Sequence, residues 1–178
     1  MLSKLQTFFW ADARMIIDYA NFGDVVTFDT TYGTNKELRQ LGVFIDFNHH
    51  RELTVFGATL LYDEMVDSFE WLFESFLVAH TGKIPKTTFT NQDPTMAKAL
   101  NEVMSNTYHR LCTWHIMQNG IKHLGNLMKD GYFLQIFKTS MFEFNDEIEF
   151  EKTWENMIDT YAIHDRSWLD SIYKWKGK

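Results

Sequence analysis

The chain has 178 residues, a length that suits one domain with a sizeable core. Hydrophobic residues make up 45% and aromatic residues 16% of the sequence, which excludes a disordered chain and predicts an aromatic interior. The formal net charge of -7 argues against a domain that grips duplex DNA over a broad face. With only one cysteine, no internal disulfide can form, and a reducing compartment is favoured.

Residues 1–22 form a lead-in to the predicted core. Phe8, Phe9 and Trp10 are compatible with an edge strand, and residues 13–19 carry apolar side chains at helical spacing. The start of the chain has neither a long apolar stretch nor a cleavage site of small residues. We therefore expect no signal peptide and no membrane span.

The most informative stretch is residues 25–32, an apolar and β-branched run with Asp29 at the predicted strand end. Such a run predicts a buried strand. A carboxylate where a strand leaves the core is well placed to hold a metal ion or to polarise a water molecule. The alternative is that Asp29 merely accepts hydrogen bonds from Thr30, Thr31 or the next turn. On chemistry alone, this second interpretation is favoured.

Four further strands are predicted downstream. Residues 41–47 and 53–61 are expected to join the first strand in an antiparallel meander, because the former alternates with period two and the latter is nearly all apolar. Residues 87–90 and 109–112 predict a fourth and a fifth strand, each followed by a helical pattern.

Helix starts are predicted from capping residues. Asp67 with Glu70 resembles a capping box, and Asp93 followed by Pro94 is a strong start signal. Thr113 is predicted to cap the helix after the fifth strand. Asp130, Asp146 and Asp165 open the remaining segments, so the chain is expected to be wholly helical from Asp130 onwards. Apolar stripes predicted to face the core include Ile121 and Tyr132.

The resulting order is three strands, helix, strand, helix, strand, and then helices only. It predicts an α/β (α+β) protein with a mixed sheet flanked by helices. We divide the chain into the lead-in 1–22, a core 23–129 and a helical insertion 130–178. The order matches the ribonuclease-H-like fold of polynucleotidyl transferases and DDE transposases, in which the first acidic residue ends strand one and the second ends strand four. This is an analogy of fold and gives no function by itself.

Six motifs in sequence order resemble the Mutator-like-element (MULE) transposase domain, and more closely the plant far-red-impaired-response family, also known for its far-red elongated hypocotyl member. The motifs are Phe28-Asp29-Thr30-Thr31-Tyr32, Asn48-His49-His50, Gly57-Ala58-Thr59-Leu60-Leu61-Tyr62-Asp63-Glu64, Ser68-Phe69-Glu70-Trp71-Leu72-Phe73, Thr90-Asn91-Gln92-Asp93 and His109-Arg110-Leu111-Cys112-Thr113-Trp114-His115-Ile116. The resemblance extends over residues 8–175. One such motif is weak, but six at the family spacing are a strong signal.

The resemblance implies a domesticated transposase that acts in the plant nucleus as a regulator of DNA-templated transcription. Typical members carry a DNA-binding zinc finger before this domain and a SWIM-type zinc finger after it. DNA contacts would then be made mainly by domains outside this sequence, which is expected to be a fragment, a truncated product or an isolated domain. The implied partners are nuclear transcription factors or homologous family members, in homo- or heterodimers. We assign no nucleic-acid-binding residue.

Two other functions compete with this interpretation. One is a fragment of an active Mutator-like DDE transposase, an enzyme of metal-dependent DNA strand transfer. The other is a pure protein-association module that uses the aromatic helical segment 132–175 to dimerise.

The resemblance also implies a degenerate catalytic site. DDE chemistry needs three carboxylates that hold two divalent metal ions about 4 Å apart. Asp29 matches the first acid, but Asn91 occupies the position of the second, and its uncharged amide should hold Mg²⁺ only weakly beside Asp29. Asp93 is a candidate substitute, although it is better explained as a helix N-cap. The third acid, a glutamate, lies beyond Lys178 in the family pattern. We therefore expect no transposase or nuclease activity.

A zinc site is the second candidate. Cys112 and His115 match the Cys-x-x-His motif of the family, and their spacing suits zinc. His109 is a third candidate ligand, but a structural zinc site needs four ligands and the sequence offers no fourth. The alternative is a buried cysteine beside a capped or packed histidine. Because of this shortage, we expect no cofactor in the isolated chain.

Overall fold

The computed structural model describes residues 7–31, 39–142 and 146–175, so Tyr32 of the first motif lies outside the described residues. The strands are β1 Phe8–Trp10, β2 Val25–Thr31, β3 Gln40–Phe47, β4 Leu53–Leu61, β5 Thr87–Thr90 and β6 Tyr108–Leu111. The helices are α1 Ala13–Phe22, α2 Val66–Ala79, α3 Pro94–Val103, α4 Thr113–Leu124, α5 Gly131–Phe142, α6 Glu147–Thr160 and α7 Ser167–Tyr173, with a 3-10 helix at Gly125–Lys129. Contacts divide the chain after Cys112 into two compact units.

The first unit contains a six-stranded mixed sheet in the order β1-β4-β3-β2-β5-β6. β2, β3 and β4 form the predicted antiparallel meander, whereas β5 pairs parallel to β2 and β6 pairs parallel to β5. β1 pairs antiparallel with β4 and is the predicted edge strand. The prediction of a mixed sheet flanked by helices is therefore confirmed.

A cluster of aromatic rings holds α1, α2 and α3 against one face of this sheet. The ring of Phe28 on β2 lies 4.5 Å from that of Phe44, which stacks on Phe76 of α2 at 4.2 Å. All three rings are almost completely buried, and each contributes roughly 1.5–3 kcal/mol through removal of its surface from water. The other buried members are Tyr19, Val26, Phe56, Leu61, Phe69, Leu72, Phe73, Met96, Ala99, Leu100 and Met104.

The second unit consists of α4, the 3-10 helix, α5, α6 and α7, so it includes residues 113–129, which the sequence analysis assigned to the core. The described elements after Asp130 are all helices, as predicted. Its buried side chains are Ile116, Leu124, Met128, Phe133, Phe137, Trp154, Met157, Ile158, Trp168, Leu169 and Ile172. Two predicted core residues are exposed instead, since Ile121 keeps 54% and Tyr132 keeps 64% of its surface accessible. In the described part of the chain, none of the helices has the length and apolar character needed to cross a membrane.

Helix caps agree with the predictions at Asp93, Asp130 and Asp146 and differ at Asp67 and Thr113. Asp93 Oδ1 accepts hydrogen bonds from the backbone N–H groups of Thr95 and Met96, and Asp146 caps α6 in the same way. The predicted cap by Asp67 is wrong, because α2 begins at Val66 and its N-cap Met65 uses no side chain. A residue upstream acts there instead: Asp63 Oδ1 accepts from Met65 N–H and from the Ser68 hydroxyl.

The start of α4 is the second difference. This helix begins at Thr113 itself, so the residue predicted as its cap is already helical. The preceding backbone is fixed by β6, because Cys112 N–H donates to the Thr90 carbonyl at 2.7 Å. The strand pairing therefore extends to Cys112, and the helix begins at the next residue.

The end of α2 buries a histidine. His80 is 2% exposed, its Nε2–H faces the Phe56 carbonyl at 3.0 Å, and its ring lies 4.2 Å from the ring of Tyr19. Its Nδ1 is buried and has no hydrogen-bond partner among the described residues. Burial therefore lowers the pKa of His80, although the bond to Phe56 acts weakly in the opposite direction.

Removal of the helix cap at Asp93 should lower the free energy of unfolding. Asp93→Ala removes the acceptor for two backbone N–H groups at the start of α3, and we expect the free energy of unfolding to fall by about 1 kcal/mol. Urea denaturation followed by circular dichroism measures this loss. Asp67→Ala is the matched control, because Asp67 lies in the first turn of α2 but makes no cap. Equal losses for both variants would contradict the assignment.

The buried His80 predicts an acid-sensitive fold. Because its folded pKa lies below its ordinary value of 6.5, the unfolded chain takes up the proton first as the pH falls. The stabilisation by the neutral ring is complete above pH 6.5 and declines below it, towards the lower folded pKa. Melting temperatures measured at pH 7.5 and 5.0 should show a drop that is smaller in His80→Phe. Identical drops would assign the acid sensitivity to other groups.

Candidate functional site

Asp29 lies on β2 with two strand residues beyond it. The strand continues past the predicted end because Thr30 pairs with Gly42 and Thr31 pairs with Leu41 on β3. The half-buried carboxylate accepts the Thr30 N–H through Oδ1 at 2.9 Å, which is one of the contacts that the local interpretation predicted. Phe28 points into the core, so Asp29 lies on the opposite face of the sheet.

Asn91 follows the last residue of β5, the parallel neighbour of β2. The register pairs Val25 with Thr87 and Thr27 with Phe89. Two residues beyond this pair, β2 reaches Asp29 and the chain after β5 reaches Asn91. The parallel pairing therefore brings the two sequence-predicted positions to the same edge of the sheet. The carboxyl ends of adjacent parallel strands are a common place for functional side chains.

The amide of Asn91 is engaged locally. Its Oδ1 accepts the backbone N–H of Asp93 at 3.0 Å, which closes a tight turn between β5 and α3. The Asp93 carboxylate in turn caps α3 through bonds of 2.7 and 3.0 Å. Asn91 and Asp93 therefore both help to end the strand and start the helix.

A buried hydrogen-bond chain supports this turn, and sequence reasoning missed it. The hydroxyl of Thr90, a fully buried residue, donates to the Asn91 carbonyl at 2.9 Å. Its oxygen lies 2.7 Å from His109 Nε2 on β6. A proton on Nε2 of His109 would satisfy both contacts, because the Thr90 hydroxyl hydrogen is directed at the Asn91 carbonyl. His109 thus holds the end of β5 through Thr90.

The remaining predicted metal ligands occupy different positions. Cys112 follows β6, is half-buried and, as the single cysteine of the sequence, forms no internal disulfide. His115 is half-buried on α4, and its ring lies 4.9 Å from that of Trp114. Across residues 7–31, 39–142 and 146–175, no three His, Cys, Asp or Glu side chains come together closely enough to hold a metal ion. Cys112 and His115 therefore stay candidate zinc ligands, and the expectation of no cofactor in the isolated chain stays a prediction.

Arg110 is a second residue that the sequence did not single out. It pairs in register with Phe89, so it lies on the same face of the sheet as Asp29, one row further back. Its Nη1 is buried and makes no hydrogen bond to any described residue. The sequence alone does not distinguish a buried arginine in a strand from one that is exposed to solvent.

Comparison with known proteins agrees with the motifs. The family model of the MULE transposase domain matches residues 25–119. Protein FAR-RED IMPAIRED RESPONSE 1 of Arabidopsis thaliana is 33% identical over 98% of this chain and 21% of its own length. Protein FAR1-RELATED SEQUENCE 4 of the same plant is 34% identical over 96% of this chain and 23% of its own length. The chain therefore spans about a fifth of the length of these relatives.

A solved structure gives only a distant likeness. A chain in the simian T-cell lymphotropic virus intasome complex with PP2A regulatory subunit B56 gamma is 16% identical and has a TM-score of 0.36. The match covers 72% of this chain and 46% of that chain, and it is too weak to support an inference about the fold. The family match is independent of it and extends over more than half of the sequence, so the chain belongs to the MULE transposase domain family.

Proposed function

We propose that this part of a transposase-derived plant protein acts in the nucleus in the regulation of DNA-templated transcription, and that it does not catalyse strand transfer. The observation that carries the proposal is the state of the second acid position. Asn91 stands there, and its amide oxygen accepts the Asp93 N–H. The family and its FAR1-type relatives supply the transposase ancestry.

We infer further that the sheet is of the ribonuclease-H-like kind. The support is the strand order, in which the antiparallel meander β4-β3-β2 is extended by the parallel strands β5 and β6. β1 adds a sixth strand at the outer edge of β4. This order puts Asp29 and Asn91 at one edge, as the first and second acids of such a site would be.

The donor set at this edge does not fit two divalent metal ions. It offers the Asp29 carboxylate and one neutral amide, whereas paired metal sites in phosphoryl-transfer enzymes depend on several carboxylates. Asp93 is a poor replacement, since moving its carboxylate to a metal would uncap α3. We therefore propose no metal-dependent reaction at the edge that holds Asp29 and Asn91.

A regulatory role follows from what the domain retains. The hydrophobic core of the first unit includes neither Asp29 nor Asn91, so an amide at position 91 is compatible with the packing of the core. Homologous family members and nuclear transcription factors are the partners that we propose for it, and other parts of the longer protein would bind DNA. The regulatory role is tested by fusing the chain to a heterologous DNA-binding domain, which recruits it to a reporter promoter in plant cells. The measurement is the transcription of the reporter.

One observation favours the alternative of an active transposase fragment. Asp29 keeps the first acid position on the central strand of the sheet, where it is half-buried and rigidly held. If a partner segment supplied further carboxylates, this residue would be correctly placed to use them. The metal response of the chain separates the two functions.

Restoring the second acid should restore cation binding. We expect no Mn²⁺-dependent thermal stabilisation of the wild-type chain, and Asn91→Asp should bind Mn²⁺ at least about tenfold more tightly, or about 1.4 kcal/mol. The reason is that a second carboxylate would then face Asp29 across β2 and β5. Asn101→Asp on the exposed side of α3 is the control for the change in net charge.

Two outcomes would contradict this proposal. The first is Mn²⁺ stabilisation of the wild-type chain that Asp29→Ala abolishes, because the remnant site would then work. The second is metal-dependent nicking of supercoiled plasmid by the wild-type chain. Either result would favour the transposase fragment.

A further inference from the structure

A groove of about 610 Å³ lies between α2 and α3 in the first unit, away from Asp29 and Asn91. It is lined by Glu70, Glu74, Leu77 and Val78 from α2 and by Glu102 and Val103 from α3. Both helices are anchored to the aromatic core on their other sides, through residues such as Phe73 and Leu100. The groove is therefore formed by rigid elements.

The floor of the groove is apolar. Leu77 and Val103 are half-buried and pack against the aromatic core, so their outer surfaces form the base between the helices. Val78 keeps 81% of its surface exposed although it belongs to a packed helix. Trp71, seven residues earlier and on the same side of α2, is 43% exposed. Leu77, Val78 and Val103 form the apolar strip of the groove, and Trp71 adds exposed apolar surface on the same side of α2.

The rim of the groove carries the carboxylates of three glutamates. Glu70 and Glu74 are one turn apart on α2, where like charges destabilise a helix. Glu102 lies in the last turn of α3, where the helix macrodipole disfavours an anion. Among the described residues none of the three makes an ion pair, although Lys98 lies one turn before Glu102. The sequence thus places three unfavourable carboxylates around an apolar strip.

We propose that this groove binds a basic amphipathic helix of a partner protein. Such a helix would place its aliphatic face on Leu77, Val78 and Val103, and its Lys or Arg side chains beside the three glutamates. The positive charges of the partner helix would offset two unfavourable interactions, namely the repulsion between Glu70 and Glu74 and the effect of the α3 macrodipole on Glu102. The inference is independent of the proposed function, because it uses no residue of the Asp29 edge.

Two other occupants fit less well. A single metal ion requires clustered ligands, and the described residues include no group of three acidic, histidine or cysteine side chains able to hold one. Nucleic acid would bring its phosphates against three carboxylates, which is electrostatically unfavourable. A partner with distributed positive charge matches the spacing of the glutamates along two helices.

The test uses the full chain and a synthetic helix of Leu and Lys, about 18 residues and roughly 27 Å long. Fluorescence anisotropy gives the dissociation constant. The triple variant Glu70→Gln, Glu74→Gln, Glu102→Gln should weaken binding at least tenfold. The control triple Glu64→Gln, Glu149→Gln, Asp159→Asn makes the same change in net charge at exposed positions elsewhere, and it should change the constant less than twofold.

The apolar part of the site is tested separately. Val78→Ser should weaken peptide binding about fivefold without destabilising the fold, because Val78 is 81% exposed. Ile148→Ser is its matched control, since Ile148 on α6 is 80% exposed and lies outside the groove. The same peptide with Glu in place of Lys should not bind.

Three results would overturn the proposal. Equal weakening by the two triple variants would show that only the overall charge matters. Undiminished binding by the groove triple would exclude the glutamates as contacts. A concentration-dependent dimer in sedimentation that the groove triple dissolves would identify a second copy of this chain as the occupant instead.

Discussion

The register of β2 is the constraint on which the first unit depends. Alternation along the strand sends Phe28 into the aromatic cluster and leaves Asp29 on the opposite face. A slip of one residue against β3 would exchange the two and bury a carboxylate among phenylalanine rings. The free energy gained by burying Phe28 therefore also fixes where Asp29 lies. Core packing and the position of Asp29 are two results of one pairing.

The turn that follows β5 shows how the end of one strand positions the next helix. Asn91 and Asp93 make hydrogen bonds that end β5 and begin α3, and these bonds are satisfied without any metal ion. His109 and Thr90 add a buried support below them. The shape of this end of the sheet is therefore set by hydrogen bonds within the protein.

Sequence periodicity predicted most of the fold because burial imposes it. The alternation in residues 41–47 and the apolar run in residues 53–61 both became strands of the expected meander. Caps were less predictable: Asp63 and Asp67 are both acidic residues before a helical stripe, and the position of the first turn depends on how Phe69 packs in the core. The prediction of Ile121 as buried failed because periodicity assigns a face but not what covers it.

The parallel pairing of β2 with β5 also has a consequence for synthesis on the ribosome. β2, β3 and β4 can assemble as soon as they emerge, but one edge of β2 then stays open until residues 87–90 arrive to pair with it. An open, apolar strand edge is a template for aggregation. A shortened chain that stops between β4 and β5 would keep that edge permanently. The position of β5 therefore sets the shortest length at which the open edge of β2 is covered, and β6 then covers β5 in the same way.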